Sequence, residues 1–300
     1  MNVLFAMIPA FFWGTTYAVT QYTLADWPPL LLGALRALPA GLILLAVKPT
    51  FPKKENWKPL ITIGIVNIAA FFSLIFVMAL TLPSAISGVG MISVPVFAMA
   101  FHWIFNRTAP SIVQLASGIL LVMLAWLLFD PKSIVLSSIG LIAMLAAISC
   151  IIFGSSLTKT LGGKIDWWTV LTWQMLVGGI ALTLVVLCHV AINPQPYFDV
   201  VSSVNTKNLI GLAWITILNT AFSYSLYVWL LQRMSIVDFT FGSIANPIAG
   251  IVCGGLLMNE LYSIHQYSLM GGMIVVSLLP QLLVTVMKKR RPTQLTLQNK

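Results

Sequence analysis

The chain has 300 residues, 59% of them hydrophobic and 8% charged, with a formal net charge of +9. Soluble domains carry about 25% charged residues, so this composition excludes a soluble globular protein and marks an integral membrane protein. The basic residues fall in short groups between apolar spans and form no single stripe, so they read as a topology signal and exclude a nucleic-acid surface.

Apolar runs bounded by turn residues and charges predict ten transmembrane helices, at residues 3–24, 27–47, 59–81, 83–105, 110–129, 136–157, 168–190, 208–231, 236–258 and 264–287. Met1 and Asn2 lack the basic region of a signal peptide, so the first run is expected as a retained helix. With the N-terminus inside, thirteen Lys and Arg residues fall on the cytoplasmic side, and only Lys132 and Lys207 on the other. By the positive-inside rule both termini are expected in the cytoplasm, with residues 289–300 a basic tail. Cys150, Cys188 and Cys253 all lie inside spans without ligand spacing, so neither a disulfide framework, a metal site nor a cofactor is expected.

In the first span Trp13, Tyr17 and Gln21 share one helix face, with Thr16 and Thr20 beside it. Such a polar-aromatic stripe serves either helix packing or a substrate path. The second span, Trp27 to Val47, holds one charge, Arg36, near its middle and no acid within a turn. A guanidinium at that depth costs about 2.5–3.5 kcal/mol on insertion scales, so something across the bundle must face it. Pro39 lacks an N–H and leaves the Leu35 carbonyl without its helical donor, giving one nearby acceptor. Arg36 then either braces the bundle or binds substrate.

Further along, Asn67, Gln174, Asn219, Ser223, Tyr227, Ser243 and Asn246 are amides and hydroxyls too deep to face lipid, and are expected to point inward. With Arg36 they could surround a zwitterionic or anionic substrate, while Trp13, Tyr17 and Tyr224 stack on its aromatic or apolar part. The site expected from sequence is therefore Trp13, Tyr17, Arg36, Asn67, Gln174, Asn219, Tyr224 and Asn246. Proton coupling needs a titratable group exposed alternately to each side; the candidates Asp238, His102, His189 and His265 all lie away from mid-depth.

Internal similarity divides the chain. Pro95 is followed sixteen residues later by Ser111-Ile112-Val113-Gln114, and Pro247 sixteen residues later by Ser263-Ile264-His265-Gln266. Phe5-Ala6-Met7-Ile8 matches Ile142-Ala143-Met144-Leu145, and Asp26-Trp27 matches Asp166-Trp167. A five-helix duplication is expected, residues 1–132 and 136–288, with Gln174 near the counterpart of Arg36. Because five is odd, the second copy enters from the opposite face and the repeats are inverted, as in secondary transporters.

FFWGTTYAVTQYTL, LRALPAGLILL, the proline of SVPVF with its downstream glutamine, and ANPIAGIV resemble the EamA-type exporters of the drug/metabolite transporter superfamily. The WGTTY and RALPAG pair is most similar to the branch that contains a bacterial blue-pigment (indigoidine) exporter. The resemblance covers Val3 to Met287 and implies a ten-helix carrier in the bacterial inner membrane that moves small metabolites, amino acids or aromatic compounds, outward. Family members often carry Gly-Glu-Arg after the fourth helix and a glutamate after the ninth; here Phe105-Asn106-Arg107 and Met258-Asn259-Glu260 stand there, so the first acid is missing. Two other classes compete. A membrane-embedded enzyme on a lipid-linked substrate would want paired carboxylates or a His/Asp constellation near an interface, and only Asp238 and His102 share a side. A channel would show a ring of repeated polar residues, which the sequence lacks.

Overall fold

The structure, a computed structural model, describes residues 3–94, 97, 103, 104, 107, 109, 111–128, 136–161, 163–231 and 245–289. Every regular element among them is helical. They are α1 (Val3–Leu24), α2 (Pro29–Val47), α3 (Lys54–Thr81), α4 (Ser84–Gly90), α5 (Ile112–Leu128), α6 (Ser138–Leu161), α7 (Trp167–Ile192), α8 (Thr206–Leu230), α9 (Ala245–Met258) and α10 (Ile264–Lys289). Each expected span contains a described helix, and α2, α3, α6, α7 and α8 are long and apolar enough to cross a bilayer by themselves. Pro95, His102, Phe105, Asn106, Asp238 and Ser243 lie outside the described residues.

The helix starts follow from local chemistry. Pro29 opens α2, where its missing N–H costs nothing. Asp166 caps α7 by accepting from Thr169 N at 3.3 Å. The repeated Ser-Ile-x-Gln motif is a capping box in both places. Ser111 N donates to Gln114 Oε1 (2.8 Å) and Gln114 N to Ser111 Oγ (3.3 Å) at the head of α5; Ser263 N donates to Gln266 Oε1 (2.9 Å) and Gln266 N to Ser263 Oγ (3.2 Å) at the head of α10.

The chain forms two compact units, one of Met1–Met91 with Val135–Leu261, the other of Ile92–Ile134 with Tyr262–Lys300. In the second unit α5 packs on α10, with Gly272 against Leu124. In the first unit α2 packs extensively on α7, and that crossing closes on two glycines. A Cβ on Gly41 would stand 2.9 Å from Leu176 N, and one on Gly179 would stand 2.5 Å from Leu38 N. The contact is reciprocal, because in each helix the leucine precedes the glycine by one turn. Small residues here let the backbones approach where lipid offers no hydrophobic drive to association. Leu184, Leu187 and Ile119 are among the apolar side chains left exposed, as a lipid-facing surface requires.

Two helices widen locally. Gly64–Ala70 in α3 and Trp214–Phe222 in α8 are π-helical. A π turn inserts one residue and frees backbone groups for side chains, and it is common at functional sites. In α8 the Thr220 hydroxyl donates to Ile215 O (2.7 Å) and the Ser223 hydroxyl to Leu218 O (2.6 Å), each five residues back.

The Leu35 carbonyl that Pro39 frees is taken by a threonine across the bundle, while Arg36 bonds to Thr220. Thr216 Oγ1 of the α8 π turn donates to Leu35 O at 3.0 Å, supplying the donor that proline removes. Thr216→Val is expected to leave that carbonyl unpaired and to destabilise the purified protein by about 1 kcal/mol, read as a lowered melting temperature. An unchanged melting curve would show that another group satisfies Leu35.

Outside the spans, the short helix Gln195–Ser202 is tied to the end of α7 by a 2.9 Å contact between Tyr197 Oη and His189 Nδ1. Burial raises the Tyr197 phenol above its ordinary value.

Candidate functional site

Arg36 is 3% exposed. Its Nε donates to Thr220 Oγ1 at 2.7 Å, and because that hydroxyl donates its own hydrogen to Ile215 O, a lone pair is left for the guanidinium. The guanidinium carbon lies 4.2 Å from the Phe72 ring centre and 5.8 Å from that of Phe76, both on α3. Among the described residues its two terminal nitrogens make no hydrogen bond. A buried cation with one neutral hydrogen bond and aromatic faces around it is undercompensated, which is costly in a bilayer unless an anion shares the site.

The aromatic side chains form a continuous chain from that point. Phe72 stands 6.0 Å from Tyr224, Tyr224 stands 5.1 Å from Trp13, and Trp13 stands 5.1 Å from Tyr227. Tyr17 and Tyr224 lie close enough to Arg36 to feel its charge. Helix α1 holds the α8 π turn in place. Trp13 Nε1 donates to Asn219 O (3.0 Å), Asn219 Nδ2 to Thr16 Oγ1 (2.8 Å), and Trp214 Nε1 to Thr15 Oγ1 (2.9 Å). Of the stripe read from the sequence, Thr16 and the Trp13 indole N–H hold the π turn, with Thr15 beside them, and the Trp13 ring joins the aromatic cluster.

Five of the eight expected residues, Trp13, Tyr17, Arg36, Asn219 and Tyr224, meet in this cluster. Asn67 and Gln174 do not join it through any described contact. They pair with each other, Asn67 Nδ2 donating to Gln174 Oε1 at 3.1 Å, with Asn67 in the π turn of α3. Asn246 sits where α9 crosses Gly14 of α1, and its Oδ1 lacks a partner among the described residues, as does that of Asn219, which is 0% exposed. The sequence reading missed Phe72, Phe76, Thr216 and Thr220, each unremarkable within an apolar run. No group of three His, Cys, Asp or Glu able to hold a metal occurs among the described residues.

The structure also sets the register of the two turns after the fourth and ninth spans. Arg107 and Asn259 both have left-handed backbone, with φ of 52° and 53°. They are separated by the interval that separates Ser111 from Ser263. On that interval the sequence position matching Glu260 is Thr108, two residues beyond Asn106 and outside the described residues.

These features define a multi-pass helical membrane protein with a buried cation beside an aromatic cluster. A family model for the EamA-like transporter family matches residues 1–129. Protein PecM of Dickeya dadantii (strain 3937) is 30% identical over 264 residues, covering 85% of this chain and 84% of its own length. The uncharacterized inner membrane transporter YedA of Escherichia coli (strain K12) is 24% identical over 274 residues, covering 86% and 83%. A solved crystal structure aligns with a TM-score of 0.65 over 97% of this chain and 99% of its own, at 16% identity, a likeness of fold. The chain belongs to the EamA-like transporter family.

Proposed function

We propose that this chain is a secondary transporter that exports small carboxylate-bearing metabolites, amino acids and aromatic or amphipathic compounds among them, across the bacterial inner membrane by alternating access. The observation that carries this reading is Arg36, buried beside the Phe72–Tyr224–Trp13 rings, without an acidic partner among its described contacts, and with terminal nitrogens that make no hydrogen bond among the described residues. A carboxylate would take the N–H groups in the bidentate geometry that guanidinium favours, and the rings would take the substrate's flat or apolar part.

Alternating access is supported by features that recur in the two proposed inverted repeats, 1–132 and 136–288. The α2–α7 crossing has reciprocal glycines, each proposed repeat has one π turn among the described residues, and α5 and α10 begin with the same capping box. Asn67 and Asn219 occupy those π turns at the interval that separates Ser111 from Ser263. Arg36 reaches the π turn of α8, and Gln174 reaches that of α3, so each proposed repeat places one polar side chain in the other's widened helix.

The test is flux in proteoliposomes with a panel of amino acids, aromatic metabolites and pigments, with and without a pH gradient. Uptake of at least one carboxylate-bearing compound above protein-free vesicles is expected; no uptake across the panel would oppose the reading. Dependence on the pH gradient would assign proton coupling, for which Asp238, His102, His189 and His265 are the sequence candidates. The proposed topology has its own measurement. A reporter fused after Lys300 is expected to be active on the cytoplasmic side, and activity only outside the cell would contradict it.

A further inference from the structure

Four segments of the first unit meet at the end of the bundle that the basic-residue asymmetry assigns to the outside. Glu260, in the turn after α9, reaches the start of α4. Its Oε1 accepts from Ser84 N at 2.6 Å and its Oε2 from Ala85 N at 3.1 Å. The turn is shaped for this reach. Asn259 takes the left-handed conformation that reverses the chain, Glu260 N donates to Gly254 O at 3.2 Å, and a Cβ on Gly254 would lie 2.5 Å from Glu260 Oε2. From α1, Gln21 Nε2 donates to Leu82 O (2.6 Å), and Gln21 Oε1 accepts from Ser84 Oγ (2.9 Å). One turn deeper α4 and α9 touch backbone to backbone: a Cβ on Gly88 would meet Gly250 Cα at 3.4 Å, and one on Gly250 would meet Gly88 Cα at 3.3 Å.

The geometry points to Glu260 as an outer latch of the transport cycle, whose carboxylate holds α4 closed against α9 and whose two bonds must break before substrate leaves outward. This rests on the transporter reading above. A clamp of two charge-assisted bonds to backbone amides is strong enough to hold a closed state, yet it can be exchanged for water at the membrane surface without unpacking a core. Beneath it the helices meet glycine to glycine, where no side chain of Gly88 or Gly250 has to be withdrawn for α4 and α9 to part. Thr108, which matches Glu260 by sequence interval, carries no carboxylate.

Labelling of Ser87→Cys tests this in a full-length background with Cys150, Cys188 and Cys253 replaced by alanine. Ser87 is 0% exposed and lies one turn below Ser84. A membrane-impermeant maleimide applied from outside is expected to react slowly while Glu260 is present. Glu260→Gln keeps the side-chain shape but loses the charge and one acceptor, and is expected to speed labelling roughly tenfold or more. If that variant does not fold, Glu260→Asp serves, because it keeps the charge and shortens the reach to Ser84 N and Ala85 N; it is expected to speed labelling by a smaller factor. Wild-type labelling rates in whichever variant keeps its gel-filtration profile would overturn the latch. The readout needs no substrate, so a silent flux panel leaves it intact, and unchanged labelling alongside intact flux removes the latch while leaving the transporter reading.

Discussion

Arg36→Gln is expected to cut flux of a carboxylate-bearing substrate roughly ten- to hundredfold, the worth of one or two charge-assisted hydrogen bonds. Flux of a neutral substrate of the same shape should fall far less. The argument turns on what the guanidinium lacks. Thr220 supplies one neutral hydrogen bond and Phe72 one ring face, while the terminal nitrogens make no hydrogen bond among the described residues. Removing an undercompensated charge from the bilayer also removes its insertion cost, so the variant should fold and keep its melting temperature. A bracing Arg36 would behave in the opposite way: its loss would lower the melting temperature and reduce the flux of both substrates equally. Flux of the two substrates beside melting curves for wild type and Arg36→Gln separates the cases.

Gly179→Ala is expected to destabilise the protein by about 1–3 kcal/mol, and Gly179→Val to prevent its accumulation in the membrane. A Cβ at position 179 would stand 2.5 Å from Leu38 N and 2.6 Å from Leu38 Cα. Those are backbone atoms of α2, so relief requires the helices to move apart along their most extensive contact. Gly271 of α10 is the control, since a Cβ there meets nothing within 4 Å. Gly271→Ala should be neutral or slightly stabilising, because alanine is the better helix former. Equal melting temperatures for the two alanine variants would show that the α2–α7 crossing does not depend on its glycines.

Much of the fold was legible because bilayer chemistry leaves few choices. Apolar runs had to be helices, and each expected span contains one among the described residues. The repeated Ser-Ile-x-Gln spacing could be read as duplication, and it proved to mark the helix starts at which capping boxes form. For Pro39 the sequence announced an unpaired carbonyl but could not name Thr216, because the donor lies on another helix.

The π turns were not legible. GIVNIAA and WITILNTAF fit an α-helical run, and one inserted residue changes backbone pairing without changing composition. Polarity groups Asn67 with Arg36, and polarity and the duplication group Gln174 with it, although the described contact of Asn67 and Gln174 is with each other. Glu260 was noticed only through the family pattern, since its reach to Ser84 is a tertiary fact. One available signal was overlooked: Trp13-Gly14-Thr15-Thr16 parallels Phe153-Gly154-Ser155-Ser156, at the same interval as Asp26-Trp27 and Asp166-Trp167.

The account turns on whether the Arg36 cluster carries a carboxylate across the membrane. Counterflow in proteoliposomes of wild-type protein, with an aromatic carboxylate on the far side and then its primary amide at the same concentration, measures this directly. Exchange driven by the acid and not by the amide is the predicted result; equal exchange with both, or none with either, would contradict it.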